Sequence, residues 1–148
     1  MSIAAQSISE LINRDLDRLS IEVETYSKEE NLWITEGEIT NTAGNLVLHL
    51  CGNLQHFIGA VLGKTGYERN RDFEFAGKGV SREKMRAEIE LVSKQLVASL
   101  EGLNEETLNQ PYPEEKFGYP MTYNFFLMHL YGHFNYQIMK KFCNELDT

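Results

Sequence analysis

The chain has 148 residues, of which 42% are hydrophobic and 24% charged, which is typical of a globular domain with a sizeable core and excludes a disordered protein. Its formal net charge of −8 argues against a nucleic-acid partner, because phosphate neutralisation needs clustered Lys and Arg, and it disfavours an anionic membrane surface. No apolar run approaches the length of a membrane span, and residues 1–6 lack the features of a signal peptide. Because 148 residues is the usual size of a single domain, we predict one domain over residues 1–148.

The two cysteines, Cys51 and Cys143, fall inside predicted helices and have no paired spacing. We interpret them as buried thiols in a reducing compartment rather than as a disulfide framework. We therefore expect the protein to be cytoplasmic, with its excess of acidic side chains on a solvated exterior.

The first predicted helix runs from Ser7 or Ser9 to near Ser27, because its apolar residues recur at three- and four-residue steps. A polar loop over residues 31–41 follows, and we expect Trp33 to fold onto the helices. A brief strand pairing within residues 33–40 would be marginal. The apolar stripe of the helix comprises Ile8, Leu11, Ile12, Leu16, Leu19, Val23 and Tyr26.

The second predicted helix is capped by Asn41 or Thr42, reaches Leu62 and stops at Gly63. A long connection over residues 63–80 follows, and a loop of this length in a compact domain is more often functional or a crossover than accidental. The apolar residues of this helix are Leu46, Val47, Leu50, Leu54, Phe57, Ile58 and Val61.

The third predicted helix begins after Ser81, a good N-cap, and ends before Gly102; residues 104–109 are expected to form one short turn. Its predicted buried face comprises Met85, Ile89, Val92, Leu96 and Leu100.

The last predicted helix begins near Met121 or Thr122 and continues to about Leu146, because the three prolines at 111, 113 and 120 forbid a continuous helix before it. Helices of about twenty residues joined by loops are typical of a bundle. We predict an all-α fold, a four-helix bundle with long crossover loops.

All four histidines lie on the second and fourth predicted helices. On a helical wheel, His49, Asn53 and His56 fall within about 60° of one another. A second row with i, i+4, i+8 spacing comprises His129, His133 and Gln137. Imidazoles that project from facing helices commonly build metal sites in bundles, so the pattern indicates a transition-metal site. The alternative is that each histidine is a core or boundary residue with a satisfied hydrogen bond.

Two stretches carry a more specific signature. Around His49 the chain reads LVLHLCGNLQHFIGAVLG, followed by YERNRDFEF, and the fourth helix reads YNFFLMHLYGHFNYQI. Together they resemble the DinB-like (DinB/YfiT) superfamily, in particular a small subfamily with a His-Leu-x-Gly-Asn signature and a following Arg-Asp-x-Glu-Phe. The resemblance covers nearly the whole chain. It implies a four-helix bundle with a long crossover, a homodimer and, in many members, a nickel or zinc ion.

The resemblance also implies the ligands. The family's metal is held by three histidines, and these positions fall on His49, His133 and Gln137, with Met139-Lys140 where Gly-Gln is usual. An amide oxygen is a harder and weaker ligand than imidazole, so we expect a weak or altered site. Gln137 completes the site, or His129 or His56 substitutes for it, or the site is vestigial.

The function that the resemblance implies is a metal-dependent, thiol-dependent transferase or a related activity on a small molecule, in which the metal supplies a nucleophile near neutral pH. Asn53 and Tyr136 are expected to orient a ligand or a bound water, and Arg69 and Arg71 to bind a carboxylate at the pocket mouth. For both arginines a surface ion pair with Asp72 or Glu74 is the favoured alternative.

The competing function is a non-catalytic homodimeric bundle, or a small-molecule binder, with a degenerate metal site. Aromatic side chains of the last helix would then line a pocket or a dimer face, although aromatics at helical spacing more often belong to a core. No two acids are predicted to share an inward face, and Cys51, about 200° from His49 on the wheel, is not a predicted ligand. The aromatic residues are Tyr123, Phe125, Phe126, Phe134 and Tyr136.

Overall fold

The computed structural model describes residues 1–35 and 41–142, and within these ranges it forms helices and no strand, which confirms the all-α class. A short 3₁₀ helix, Glu29–Trp33, follows the first α-helix, and the second continues as a π-helix, Gln55–Ala60. A single isolated β-bridge, between Pro111 and Thr122, is found in these ranges. The α-helices are α1 (Ile3–Thr25), α2 (Ala43–Leu54), α3 (Arg71–Ala76), α4 (Arg82–Leu100), α5 (Glu105–Leu108) and α6 (Tyr123–Phe142).

Helix α1 begins earlier than predicted, at Ile3 rather than at Ser7 or Ser9. The reason is its cap, because the Ser2 hydroxyl accepts a hydrogen bond from the backbone N–H of Ala5. The predicted stripe does form the buried face, apart from Leu11 and Tyr26, which are only half-buried.

Helix α2 begins after Thr42, one of the two predicted caps, whose hydroxyl accepts from the Asn45 N–H at 3.0 Å. The regular α-helix ends at Leu54, and the π-helical turns carry the chain on toward Gly63. Trp33 packs onto this helix as expected, since a Cβ on Gly44 would lie 2.7 Å from its ring.

Helix α4 matches its prediction closely. Ser81 caps it by accepting from the Lys84 N–H, and all five predicted core residues from Met85 to Leu100 are buried. The expected short turn is α5, capped by Asn104. Helix α6 starts at Tyr123, and its predicted end lies outside the described residues, as do Cys143 and the segment 36–40.

The four long helices share one apolar core, because α1 packs against α4 and α6 while α2 packs against α4 and α6. The crossover between α2 and α4 is more than a loop, since it contains α3, which packs on α2. Cys51 is buried as predicted. Over the described ranges, no helix combines the length and apolarity needed to cross a membrane.

Candidate functional site

A cavity of about 360 Å³ lies where α2, the crossover, the 111–122 connection and α6 meet. It brings together histidines from both predicted helices, side chains of the crossover and two residues of the connection. Its lining consists of His49, Asn53, Phe57, Arg69, Arg71, Phe75, Lys116, Phe117, Phe126, His129, Leu130 and His133.

His49 lines this cavity from α2, and its ring contacts two side chains of α3. Its Nδ1 lies 3.1 Å from Glu74 Oε1, and its ring lies 5.2 Å from that of Phe75. Because a carboxylate only accepts hydrogen bonds, Nδ1 carries the proton and donates it, which leaves Nε2 to meet a ligand. Burial lowers the pKa of His49, against the opposing effect of Glu74, so the imidazole is neutral at pH 7.

Glu74, which the sequence indicated only as a possible surface ion-pair partner of the arginines, lies buried beside His49. It belongs to α3, yet its side chain is only 4% exposed, and it accepts two hydrogen bonds from Arg69, at 2.8 and 2.9 Å. The predicted Arg69–Glu74 ion pair therefore exists, but the expectation that it lies on the surface is wrong. The Arg69 side chain is only 8% exposed, because α3 docks against α2 and covers the pair.

Gly52 supplies the space for this carboxylate. A Cβ on Gly52 would lie 2.2 Å from Glu74 Oε2, so no larger residue fits while the ion pair is in place. Asn45 secures the same docking through its side-chain amide, which donates to the backbone carbonyls of Glu74 and Gly77 at 3.2 and 2.8 Å. The two segments singled out in the sequence, around His49 and around Glu74, are thus in direct contact.

Helix α6 contributes His129 and His133, which lie one turn apart at the exposed side of the cavity. The Phe117 ring meets His129 edge-on, with 4.9 Å between centroids. Burial, then the neighbouring His129 and Lys116, lower the pKa of His133, so this imidazole is also neutral at pH 7.

The remaining predicted site residues divide between the cavity and its surroundings. Asn53 lines the cavity, whereas Gln137 is half-buried outside its lining and Tyr136 is 59% exposed, also outside it. His56 bonds Glu114 at 3.2 Å, away from the cavity lining. The structure therefore brings together three of the four histidines, and it adds Lys116, Phe117 and Phe75, which sequence reasoning missed.

A transition-metal ion would need three donors at bonding distance. Two neutral imidazoles, His49 and His133, have suitable chemistry, and the Nδ1 bond of His49 to a carboxylate is typical of a metal-ligating histidine. However, no three His, Cys, Asp or Glu side chains among residues 1–35 and 41–142 are grouped closely enough to hold an ion. Basic side chains line the cavity as well. As arranged, the donors do not fit a complete three-ligand centre.

One comparison with known proteins gives a match. A family model described as "Protein of unknown function (DUF1572)" matches residues 4–113, which is most of the chain. The matched range includes His49, Gly52, Arg69 and Glu74 and stops before α6. No curated protein and no solved structure matches the chain.

Proposed function

We propose that this chain, which belongs to the DUF1572 family, binds a small organic molecule in the histidine-lined cavity. The observation that carries the proposal is the lining itself, in which three imidazoles and five apolar side chains surround one space of about 360 Å³. Small-molecule sites have this character, with mostly apolar walls and a few convergent polar groups, and volumes of roughly 300–1,000 Å³.

The architecture that we propose for it is a DinB-like four-helix bundle. Support comes from the shared core of α1, α2, α4 and α6 and from the long crossover that packs α3 on α2. From the same resemblance we propose a cytoplasmic homodimer. Support for a dimer face comes from apolar side chains that α6 leaves exposed, among them Phe125, Met128 and Tyr136.

Ligand binding in the cavity can be tested by backbone amide NMR of the full chain, titrated with phenylacetamide and with phenylacetate. We expect shifts at residues that line the cavity, such as Asn53 and Phe57. His129→Trp should abolish them by filling the space, whereas Leu91→Trp, at an exposed position of α4 outside the lining, should not. Shifts that survive His129→Trp, or no shifts with either probe, would contradict the proposal.

The second candidate is a metal-dependent, thiol-dependent transferase. It is favoured by the orientation of His49 on Glu74 and by the lowered pKa values of His49 and His133, which keep both imidazoles in the form that binds metal. It ranks second because no three His, Cys, Asp or Glu side chains of the described residues are grouped closely enough to hold an ion. We expect nickel or zinc to bind weakly through His49 and His133, with Gln137 or His129 as the remaining ligand.

Elemental analysis of protein purified without a metal-affinity tag separates the two candidates. Stoichiometric nickel or zinc that disappears in both His49→Ala and His133→Ala would make the transferase the better proposal. Gln137→His should tighten metal binding if Gln137 occupies the third ligand position. No metal after incubation with nickel or zinc would rule the transferase out and leave the binding function standing.

A further inference from the structure

We infer that the cavity takes a carboxylate attached to a flat apolar group, with Arg71 and Lys116 binding the carboxylate at the mouth. The inference rests on the proposed binding function, because it names the class of molecule that enters the same cavity. It goes further in assigning the charge of the ligand and the side chains that select it.

The charged side chains of the cavity lining are opposite in sign to the net charge of the chain. The protein has 22 acidic and 14 basic side chains, yet the charged residues that line the cavity are all basic, namely Arg69, Arg71 and Lys116. A concave site lined by one sign of charge concentrates ions of the opposite sign. The cavity is therefore a positive site in an acidic protein.

The three cations are not equivalent. Arg69 is held by both oxygens of the buried Glu74 and so serves to fix the crossover. Arg71 and Lys116, by contrast, have no ion-pair partner among the residues that the structure describes. They belong to different segments, since Arg71 opens α3 and Lys116 lies in the proline-containing connection. Their charges are available to a ligand.

Both free cations lie over aromatic rings of the cavity wall. Lys116 Nζ lies 5.2 Å from the centroid of Phe57, and the Arg71 guanidinium carbon lies 5.9 Å from that of Phe75. Burial, then the charges of Arg71 and Arg69, lower the pKa of Lys116, against the opposing effect of Glu114. A bound anion would offset the repulsion between these like charges.

Acidic residues do approach the two cations, but from outside the cavity. Glu68 and Asp72 share an outer groove with Arg71, and Glu114, whose field reaches Lys116, bonds His56. None of these three carboxylates lines the cavity. The side of the mouth that faces the cavity is therefore positive, although these carboxylates partly neutralise the cations on the side that faces solvent.

The rest of the cavity defines the other half of the ligand. Phe57, Phe126 and Leu130 form apolar walls, and Phe75 and Phe117 stand near the mouth as exposed aromatic rings. A planar guanidinium binds a planar carboxylate in a fork, and aromatic faces pack well on a flat apolar group. An aryl or arylalkyl carboxylate matches both features, with its apolar part against the phenylalanine rings.

The test compares three probes on the full chain, namely phenylacetate, its neutral counterpart phenylacetamide, and acetate, which has the charge without the ring. We expect phenylacetate to bind at least about tenfold more tightly than either of the others, as a charge-assisted contact and an apolar contact each contribute. Arg71→Gln and Lys116→Gln should each weaken phenylacetate about tenfold and leave phenylacetamide unchanged. Lys78→Gln, an exposed crossover charge outside the lining, is the matched control.

The possible outcomes distinguish a failure of this inference from a failure of the proposed binding function on which it rests. Equal affinities for phenylacetate and phenylacetamide would overturn the carboxylate assignment while the binding function stands. Equal affinities for acetate and phenylacetate would overturn the apolar half of the ligand. Losses in Arg71→Gln and Lys116→Gln no larger than that in Lys78→Gln would overturn the assignment of these two residues. No binding of any probe would contradict both proposals.

Discussion

Replacing Glu74 with glutamine tests whether the buried ion pair holds the crossover on α2. The substitution removes the charge from a pair whose side chains are only 8% and 4% exposed, and it leaves the Arg69 guanidinium without its carboxylate. Breaking a buried pair on one side costs about 3–5 kcal/mol, because the remaining charge is desolvated and unpaired. In a domain of this size each kcal/mol lowers Tm by about 2–4 °C, so we expect Glu74→Gln to lower Tm by roughly 6–20 °C.

The assay is thermal and urea unfolding of the purified chain, with Glu90→Gln as the matched control. Glu90 pairs with Lys94 at 3.3 Å, but those side chains are 71% and 74% exposed, so its loss should cost about 0.5 kcal/mol or less. The double variant Arg69→Gln/Glu74→Gln should be less destabilised than the two single variants summed, because neither partner then stays charged and alone. If Glu74→Gln unfolds like Glu90→Gln, the ion pair is not sealed from water and this reasoning is wrong.

Three further predictions concern neighbouring parts of the site. Gly52→Ala should cost about as much as losing the buried ion pair, roughly 3–5 kcal/mol by urea unfolding, because its Cβ would clash with the carboxylate, whereas Gly132→Ala on α6 meets nothing within 4 Å and should not destabilise. Tyr112→Phe should cost about 1–3 kcal/mol in the same assay, because the hydroxyl donates to the buried Phe57 carbonyl at 2.6 Å. Burial and the neighbouring arginines lower the pKa of Lys116, so the affinity for phenylacetate should fall as the pH rises through that lowered pKa. In calorimetric titrations Lys116→Arg should keep its affinity over the same pH range, because the guanidinium stays charged.

Each of these predictions has a clear contrary result. Equal stabilities of Gly52→Ala and Gly132→Ala would mean that α3 does not pack as closely on α2 as the structure shows. An unchanged Tyr112→Phe would mean that the Phe57 carbonyl is satisfied without the hydroxyl. Loss of phenylacetate affinity at the same pH in Lys116→Arg and the unaltered chain would assign the titration to another group.

The long helices were predictable because their burial follows a period that the sequence displays. The five core residues of α4 recur at three- and four-residue steps, and the structure buries them all. The start of α1 could not be predicted in this way, because its N-cap, Ser2, precedes the apolar stripe. The π-helical end of α2 was not predicted, because the apolar period of the sequence continues through it to Val61.

The same distinction holds for the site. The meeting of His49 with His129 and His133 followed from two helical rows facing one another. The burial of Glu74 could not be predicted, because an acid beside arginines in a long connection is usually solvated. In the structure the space at Gly52 and the pairing with Arg69 accommodate it. Lys116 was missed because the connection that carries it has no period from which its direction could be inferred.

The claim at the centre of this account is that one cavity, bordered by three of the four histidines, receives the ligand. Imidazole ¹H–¹⁵N NMR during titration with phenylacetate tests it most directly, because it observes each histidine separately. His56 follows His49 along the helical segment that begins as α2 but lies outside the cavity lining, so its signal serves as an internal control. We predict that the signals of His49, His129 and His133 shift with one common affinity while that of His56 stays in place. Equal shifts at all four histidines, or shifts at His56 alone, would contradict the account.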